Sequence, residues 1–326
     1  MNINEIAELA GVSRATVSRY LNNGYVSGEK KAAIQRVIEE TGYQPSQQAR
    51  NLRSKVTKLI GVIIPRIQSE SVSRMVAGIS EALSAKGYQL LLANTQNNTK
   101  EELKYLRVFG KNQVDGIIFM GTMFSKEHLH LMEEVEVPIV VAAQEIRQYS
   151  CVFQDDYHAA YDAAKMLTEK GRNIAYIGVT TKDKVAGKAR KNGFLDAMAD
   201  AGIKVEKSCM CETEFRMQGG YEKAAQLWKT HPETDSLFCA TDSLAVGALR
   251  YFHEHGIEVP GQVQIVAFGD TEMGSAVSPA ITSVHFYYKT MGQEAAKMLV
   301  EILDSGDDLK KHLKMGYQLV KKESLR

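Results

Sequence analysis

The stretch INEIAELAGVSRATVSRYLN, residues 3–22, decides how this chain is read. Asn2 with Glu5 three residues later matches a capping box, Ile6, Leu9 and Ala10 supply an apolar face, and Gly11 ends the turn. Ser13 then caps a second helix, in which Val17 and Leu21 fall on one side at four-residue spacing. Two short helices thus meet across a tight Gly-Val-Ser turn, with the spacing of a helix-turn-helix. Arg14, Ala15, Thr16, Ser18 and Arg19 lie at the start or on the outer side of the second helix, where a recognition helix presents side chains to major-groove base edges. A three-helix protein-interaction domain with solvated bases has the same pattern, and both readings stay open at this level.

Outward from that pair, a third helix is expected from near Ser27 through Ala33, Ile34, Val37 and Ile38 to Gly42. After Pro45, SQQARNLRSK can form a short helix capped by Ser46, with one large apolar residue, Leu52, among bases that include Arg50 and Arg53. A helix of that length is marginal alone in water. Residues 1–58 carry nine Lys and Arg against five acids, a charge of +4, while the remainder carries −3, so the formal +1 of the whole chain hides a basic head on a slightly acidic body. Phosphate neutralisation is a local requirement, which makes that asymmetry relevant to nucleic acid.

The whole chain has 326 residues, 44% hydrophobic and 24% charged, an ordinary globular composition with length for two domains and a small third. The longest apolar runs, such as Leu59 to Pro65, are strand length, far short of the roughly 20 residues that cross a bilayer, so no membrane partner is expected. MNINEIAELAG lacks the basic start and long apolar run of a secretory signal, and a cytoplasmic protein is expected. Cys151, Cys209, Cys211 and Cys239 fit small residues in a reducing compartment; no zinc spacing is present, and neither a metal nor a cofactor is expected. His128/His130 and His253/His255, two apart on helices, point in different directions and read as surface histidines.

From Leu59 the pattern changes to strands alternating with helices. Strands are expected at 59–65, 88–94, 114–121 and 138–143, then in a second series at 151–156, 173–179, 205–211, 236–242 and 263–270, with helices between them. Near-continuous apolar strands spaced by helices mean parallel sheets covered on both faces, here an α/β fold of two doubly wound lobes. Ligands in such lobes bind beyond the carboxyl ends of the strands, and the cleft between lobes is the default site. Enzyme motifs are missing: no G-x-G-x-x-G follows the first strand, no G-x-x-x-x-G-K-[ST] occurs, and there is no G-x-S-x-G elbow. Asp155 and Asp156, as strand neighbours, would face opposite ways and form no acid/base pair.

Residues 3–54, INEIAELAGVSRATVSRYLNNGYVSGEKKAAIQRVIEETGYQPSQQARNLRS, resemble the DNA-binding headpiece and hinge of the lactose/galactose/purine (LacI/GalR) repressor family almost position for position. VDGIIFMG, KGRNIAYIG, GKAR before NGFLDAM, CATDSLAVGAL, VPGQVQIVAFGD and SPAITSVHF resemble that family's effector-binding core, whose fold periplasmic sugar-binding proteins share. IIPRIQS, GKAR and CATDSLAVGA are most similar to the members controlling trehalose and sucrose operons, whose inducers can be sugar phosphates.

The resemblance implies a headpiece at 1–45, a hinge helix at 46–58, a first lobe at 59–157 plus about 288–314, and a second at 158–287 plus about 315–326. It implies a homodimer on double-stranded operator DNA. The tail LKKHLKMGYQLVKKESLR has no sustained heptad repeat, which favours a dimer over a tetramer. Arg14 and Ala15 would read bases with Ser18 and Arg19 beside them, Asn2, Ser13, Thr16 and Asn22 would position phosphates, and Leu52, between Arg50 and Arg53, would be the minor-groove wedge. In the core, Arg66 follows the first strand, and Lys188 and Arg190 open a second-lobe helix; three cations around one cleft would suit an anionic ligand. The competing possibility is that Arg66 pairs with a carboxylate and Arg190 holds only sugar hydroxyls. Ser69, Gln144 and Thr241 would add polar contacts and Phe215 a stacking face. Gly269 stands where most sugar-binding members have an aspartate; either Asp270 substitutes from the next position or the ligand is held differently. An effector that closes the cleft is expected to weaken operator binding, although the opposite sign, corepression, is open.

Overall fold

The first unit of the computed structural model, Met1–Thr57, is built as its caps require. Helix α1 (Ile3–Leu9) starts at Asn2, whose side chain accepts from the Asn4 and Glu5 amides while Glu5 returns a carboxylate to the Asn2 N–H, the complete capping box. Helix α2 (Arg14–Leu21) is capped by Ser13 on the Thr16 amide, and α3 (Gly28–Thr41) ends at Gly42 with φ +63°, a left-handed cap that glycine adopts without cost. Ile6, Ala7, Val17, Ile34 and Val37 form its small core. The described residues are 1–22, 24–43, 56–111, 113–307 and 309–326, so residues 46–55 of the expected hinge, with Arg50, Leu52 and Arg53, lie outside them.

The second unit, Lys58–Arg326, holds two six-stranded sheets. In the first lobe the chain runs β1 (Leu59–Ile64), α4 (Glu70–Ser84), β2 (Gln89–Asn94), α5 (Thr99–Gly110), β3 (Gly116–Phe119), α6 (Lys126–Glu134), β4 (Ile139–Ala142) and β5 (Ser150–Gln154). It then crosses to the second lobe with α7 (Asp156–Thr168), β6 (Ile174–Gly178), a π-helical turn (Lys184–Ala189), α8 (Arg190–Asp200), β7 (Met210–Glu212), α9 (Met217–Thr230), β8 (Ser236–Cys239), α10 (Asp242–Glu254), β9 (Gln264–Phe268), α11 (Glu272–Ala276) and β10 (Thr282–Phe286). Helix α12 (Tyr288–Ser305) and β11 (His312–Met315) return to the first lobe, and β12 (Tyr317–Val320) ends in the second. Strand order is β11-β5-β4-β3-β1-β2 in one sheet and β12-β10-β9-β8-β6-β7 in the other. All pairs are parallel except β10 with β12.

Near-continuous apolar strands are what this topology needs, because helices cover both faces. Val62, Ile64, Val140, Val152, Tyr176, Phe238 and Phe286 belong to one buried cluster that runs through both lobes, so the lobes are not independent cores. Helices α4 and α12 touch backbone to backbone: a Cβ at Gly78 would collide with the Lys289 carbonyl, and one at Gly292 with that of Met75.

Three expectations need correction, and the tail adds two strands that the strand pattern did not name. CVFQDD does not open the second series: β5 lies beside β4 and β11 in the first sheet, and Asp155 and Asp156 are the cap and first residue of α7 rather than strand neighbours. The strand expected at 205–211 is only Met210–Glu212, because Lys207–Cys209 form a 3₁₀ turn before this edge strand. The tail contributes β11 and β12, one strand to each sheet. His128 is fully buried rather than on the surface: its Nε2 lies 3.0 Å from Glu102 Oε2, and its Nδ1 accepts from the Ser125 amide to complete the α6 capping box. Helical spacing alone does not reveal that partner, since it comes from α5.

Candidate functional site

The start of α2 presents Ser13, Arg14 and Ala15 to solvent, with Arg19 exposed further along and Thr16 and Ser18 partly covered. Val17 and Leu21 turn inward, which fixes the outward face. Asn2 and Ser13 already spend their side chains on capping, and Asn22 donates to the Ser18 carbonyl at 2.7 Å. These bonds fix the ends of α1 and α2.

The second site is a cleft of about 1300 Å³ between the lobes, lined from the carboxyl ends of both sheets. After β1 come Pro65, Arg66 and Ser69; after β3 and β4, Thr122 and Gln144; after β8 and β9, Thr241, Asp242 and Gly269. This is the crevice that parallel-strand geometry dictates. Gln144 donates to the Gly121 and Thr122 carbonyls, which leaves its own carbonyl oxygen as an acceptor. Thr241 caps α10 by accepting from the Leu244 amide, which leaves its hydroxyl proton to donate. Ser69 shares a hydrogen bond with Ser71 at 2.9 Å.

Arg66 reaches across from the first lobe. Its guanidinium stacks on the Phe215 ring, 4.6 Å from the centroid, and donates to the Phe215 carbonyl at 3.1 Å, while its buried Nε has no partner among the described residues. Burial and the nearby Arg216 both lower the Arg66 pKa, against a smaller pull from Asp183. The Phe215 ring is thus already engaged by Arg66.

Arg190 lies at the base of the cleft. Its Nε and Nη2 hold Asp156 Oδ1, both at 2.7 Å, its Nη1 donates to the Ala240 carbonyl, and its plane covers Phe268. Burial is the largest influence and opposes the charge on Arg190, yet Asp156, Tyr288 and Asp183 together outweigh it and raise the guanidinium pKa; burial pushes the Asp156 carboxyl upward while Arg190 pulls it back. Three of the five guanidinium N–H groups are taken by Asp156 and the Ala240 carbonyl and a further one by the Tyr288 hydroxyl, and the charge itself is answered by Asp156.

Two expected residues lie elsewhere. Lys188 is exposed and does not line the cleft, although Val185, Ala186 and Arg190 do, since residues two apart on a helical stretch face different sides. Asp270 does not line it either: its carboxylate binds Lys322 Nζ and His285 Nδ1, at 2.5 and 2.9 Å, while its neighbours Gly269 and Thr271 face the cleft. Gly269 holds φ +130°, a backbone an aspartate would adopt only under strain. The cleft is therefore lined by Arg66, Arg190 and Arg216 against Glu70, Asp183, Glu212, Glu214 and Asp242.

Sequence reasoning missed Gln154, buried at the end of β5 with an amide nitrogen that has no partner among the described residues. Its position at a strand's carboxyl end was the available signal. Asp183 and Asp242 were also missed. Asp183 accepts from the Val185 and Ala186 amides, and Asp242 is saturated by the Thr271 amide and hydroxyl and the Ser283 hydroxyl.

Removing one partner of a buried ion pair leaves an uncompensated charge, which costs about 3–5 kcal/mol. Arg190→Met is expected to lose that much in urea unfolding, and Asp156→Leu combined with Arg190→Met to recover most of it. A single variant as stable as the parent would mean that the pair is not formed.

Known proteins resemble the chain along its whole length. Residues 2–46 match the family described as "Bacterial regulatory proteins, lacI family", and residues 163–325 match "Periplasmic binding protein-like domain". The chain is 34% identical over 303 residues to the sucrose operon repressor of Staphylococcus xylosus, covering 93% of each protein. It is 31% identical over 308 residues to catabolite control protein A of Priestia megaterium, again covering 93% of each. Among solved structures, a complex of the transcriptional regulator CelR with cellobiose aligns with TM-score 0.77 at 26% identity, covering 99% of both chains. A lac repressor dimer bound to operator and the anti-inducer ONPF aligns with TM-score 0.90 over 99% of this chain and 98% of that one; at 20% identity it shows the fold.

Proposed function

The chain belongs to the lacI family of bacterial regulatory proteins and is a DNA-binding transcriptional repressor rather than an enzyme, and from that premise we propose that it represses a sugar-utilisation operon as a homodimer and leaves its operator when a sugar effector binds the inter-lobe cleft. The observation that carries the DNA half is the outward placement of Arg14, Ala15 and Arg19 by the buried Val17. In this reading residues 1–45 are the headpiece and 46–58 the hinge, with Leu52 as wedge and Arg50 and Arg53 beside it. A hinge helix so short needs DNA and its twin to stay folded, so a change in the spacing of the first lobes within the dimer melts it.

The effector we propose is a phosphorylated disaccharide, of the trehalose 6-phosphate or sucrose 6-phosphate class. The support is Arg66 alone, a half-buried cation in the cleft with no carboxylate bonded to it among the described residues and with Arg216 repelling it, a pairing that one anionic group relieves. The two other expected cations add nothing to this, since Arg190 is answered by Asp156 and Lys188 is outside. A neutral disaccharide is the second reading, favoured by the five carboxylates among the lining residues and by the cellobiose bound in the CelR structure.

Thermal shift separates the two. A ligand at 100 times its dissociation constant adds about 2.7 kcal/mol to stability. Sucrose 6-phosphate or trehalose 6-phosphate is expected to stabilise the protein more than the plain sugar, and Arg66→Gln to abolish that difference. Equal shifts for plain and phosphorylated forms would select the neutral reading. For the DNA half, Arg14→Ala is expected to weaken binding to an operator selected from a random-sequence library by about 1–3 kcal/mol. The parent should also lose affinity steeply as salt rises; a protein without DNA affinity at low salt would defeat the proposal.

A further inference from the structure

The two lobes are joined across the cleft mouth by contacts that no sequence motif suggested. Glu70 and Arg74 stand one turn apart on α4 in the first lobe and are ion-paired at 2.5 Å. Both also engage the second lobe. The Glu272 amide donates to the Glu70 carboxylate at 3.0 and 3.2 Å, and Arg74 Nη1 donates to the Asp270 carbonyl at 3.2 Å. One acceptor and one donor on a single helical turn therefore meet a backbone donor and a backbone acceptor two residues apart in the facing lobe.

The receiving turn is held ready. Asp270 has φ +45°, a left-handed backbone uncommon for a residue with a Cβ. Its amide donates to the Ser283 hydroxyl, and its carboxylate is gripped by Lys322 and His285. Next to it, the Thr271 amide and hydroxyl are bound to buried Asp242. The arrangement explains why Asp270 is unavailable to a ligand: it shapes the turn that Arg74 reads. Side chains of Glu70 and Arg74 are about 30% exposed, at 29% and 31%, so water competes for these bonds and the contact can open.

We propose that Glu70, Arg74 and the 270–272 turn form an inter-lobe latch that closes the cleft before any effector arrives. The inference rests on the reading of the cleft as the effector site. A protein whose binding-competent state is only partly populated binds its ligand more weakly by that fraction. The latch therefore sets how far the closed form is populated without ligand, and hence how much effector is needed to shift the dimer.

The test uses the unliganded full-length protein. Spin labels are placed at Lys100→Cys in the first lobe and Gln218→Cys in the second, both exposed, in a Cys209→Ser background, and one labelled subunit is paired with unlabelled excess. The parent is expected to show one narrow inter-lobe distance, and Glu70→Ala with Arg74→Met to lengthen or broaden it by several ångströms while the protein still melts cooperatively. Restoring an acceptor with Glu70→Gln should recover part of the short distance. An unchanged distribution in the double variant overturns the latch. Because no ligand enters the experiment, that result would leave the effector reading standing, and a failed sugar panel would leave the latch standing.

Discussion

The bond between Arg190 and Asp156 is the constraint on which the cleft depends. Asp156 is the first residue of α7, where the chain has just crossed from the first sheet, and Arg190 opens α8. The guanidinium lies over Phe268 and within 5.4 Å of the Phe286 ring, and its charge reaches Tyr288, the first residue after the return crossing. Buried ion pairs give little net stability because desolvation offsets the attraction, but breaking one is expensive. The pair therefore acts on geometry: it holds the segments that cross between lobes in one arrangement at the base of the cleft, and the chemistry above is built on that floor.

What this leaves for a ligand differs from a simple count of cations. A charge already balanced by a carboxylate offers directional N–H donors but little attraction for an anion. The cleft thus combines polar side chains, such as Gln144, Gln154 and Thr241, with Arg66, to which no carboxylate is bonded among the described residues. Arg66 bridges to Phe215 at that lip, and Glu70 with Arg74 bridges to the 270–272 turn. Closure therefore draws on side chains of the first lobe that read backbone groups of the second, a geometry that exists only when the lobes are near.

The fold was largely legible because its signals are local. Caps at Asn2 and Ser13, the left-handed Gly42, and apolar strands spaced by helices each need only a few neighbouring residues to be recognised. Assignment of strands to sheets was not local, and β5, β11 and β12 were misread or missed for that reason. The site divided in the same way. Arg66, Gln144, Thr241 and Phe215 lie in the cleft because each follows a strand's carboxyl end. Lys188 failed on helical phase, and Asp270 failed because Lys322 and His285, distant in sequence, claim its carboxylate. His128 met Glu102 in the core by the same kind of long-range pairing.

In the reading proposed above, effector and operator act on one two-state molecule. Linkage then requires reciprocity: whatever factor the effector takes from operator affinity, the operator must take from effector affinity. The direct measurement is calorimetric titration of the most stabilising sugar into the full-length dimer, alone and saturated with operator duplex, beside operator binding measured with and without that sugar. Sugar binding to the DNA complex is expected to be weaker by the same factor that the sugar weakens DNA binding. An effector affinity unchanged by bound operator would contradict it.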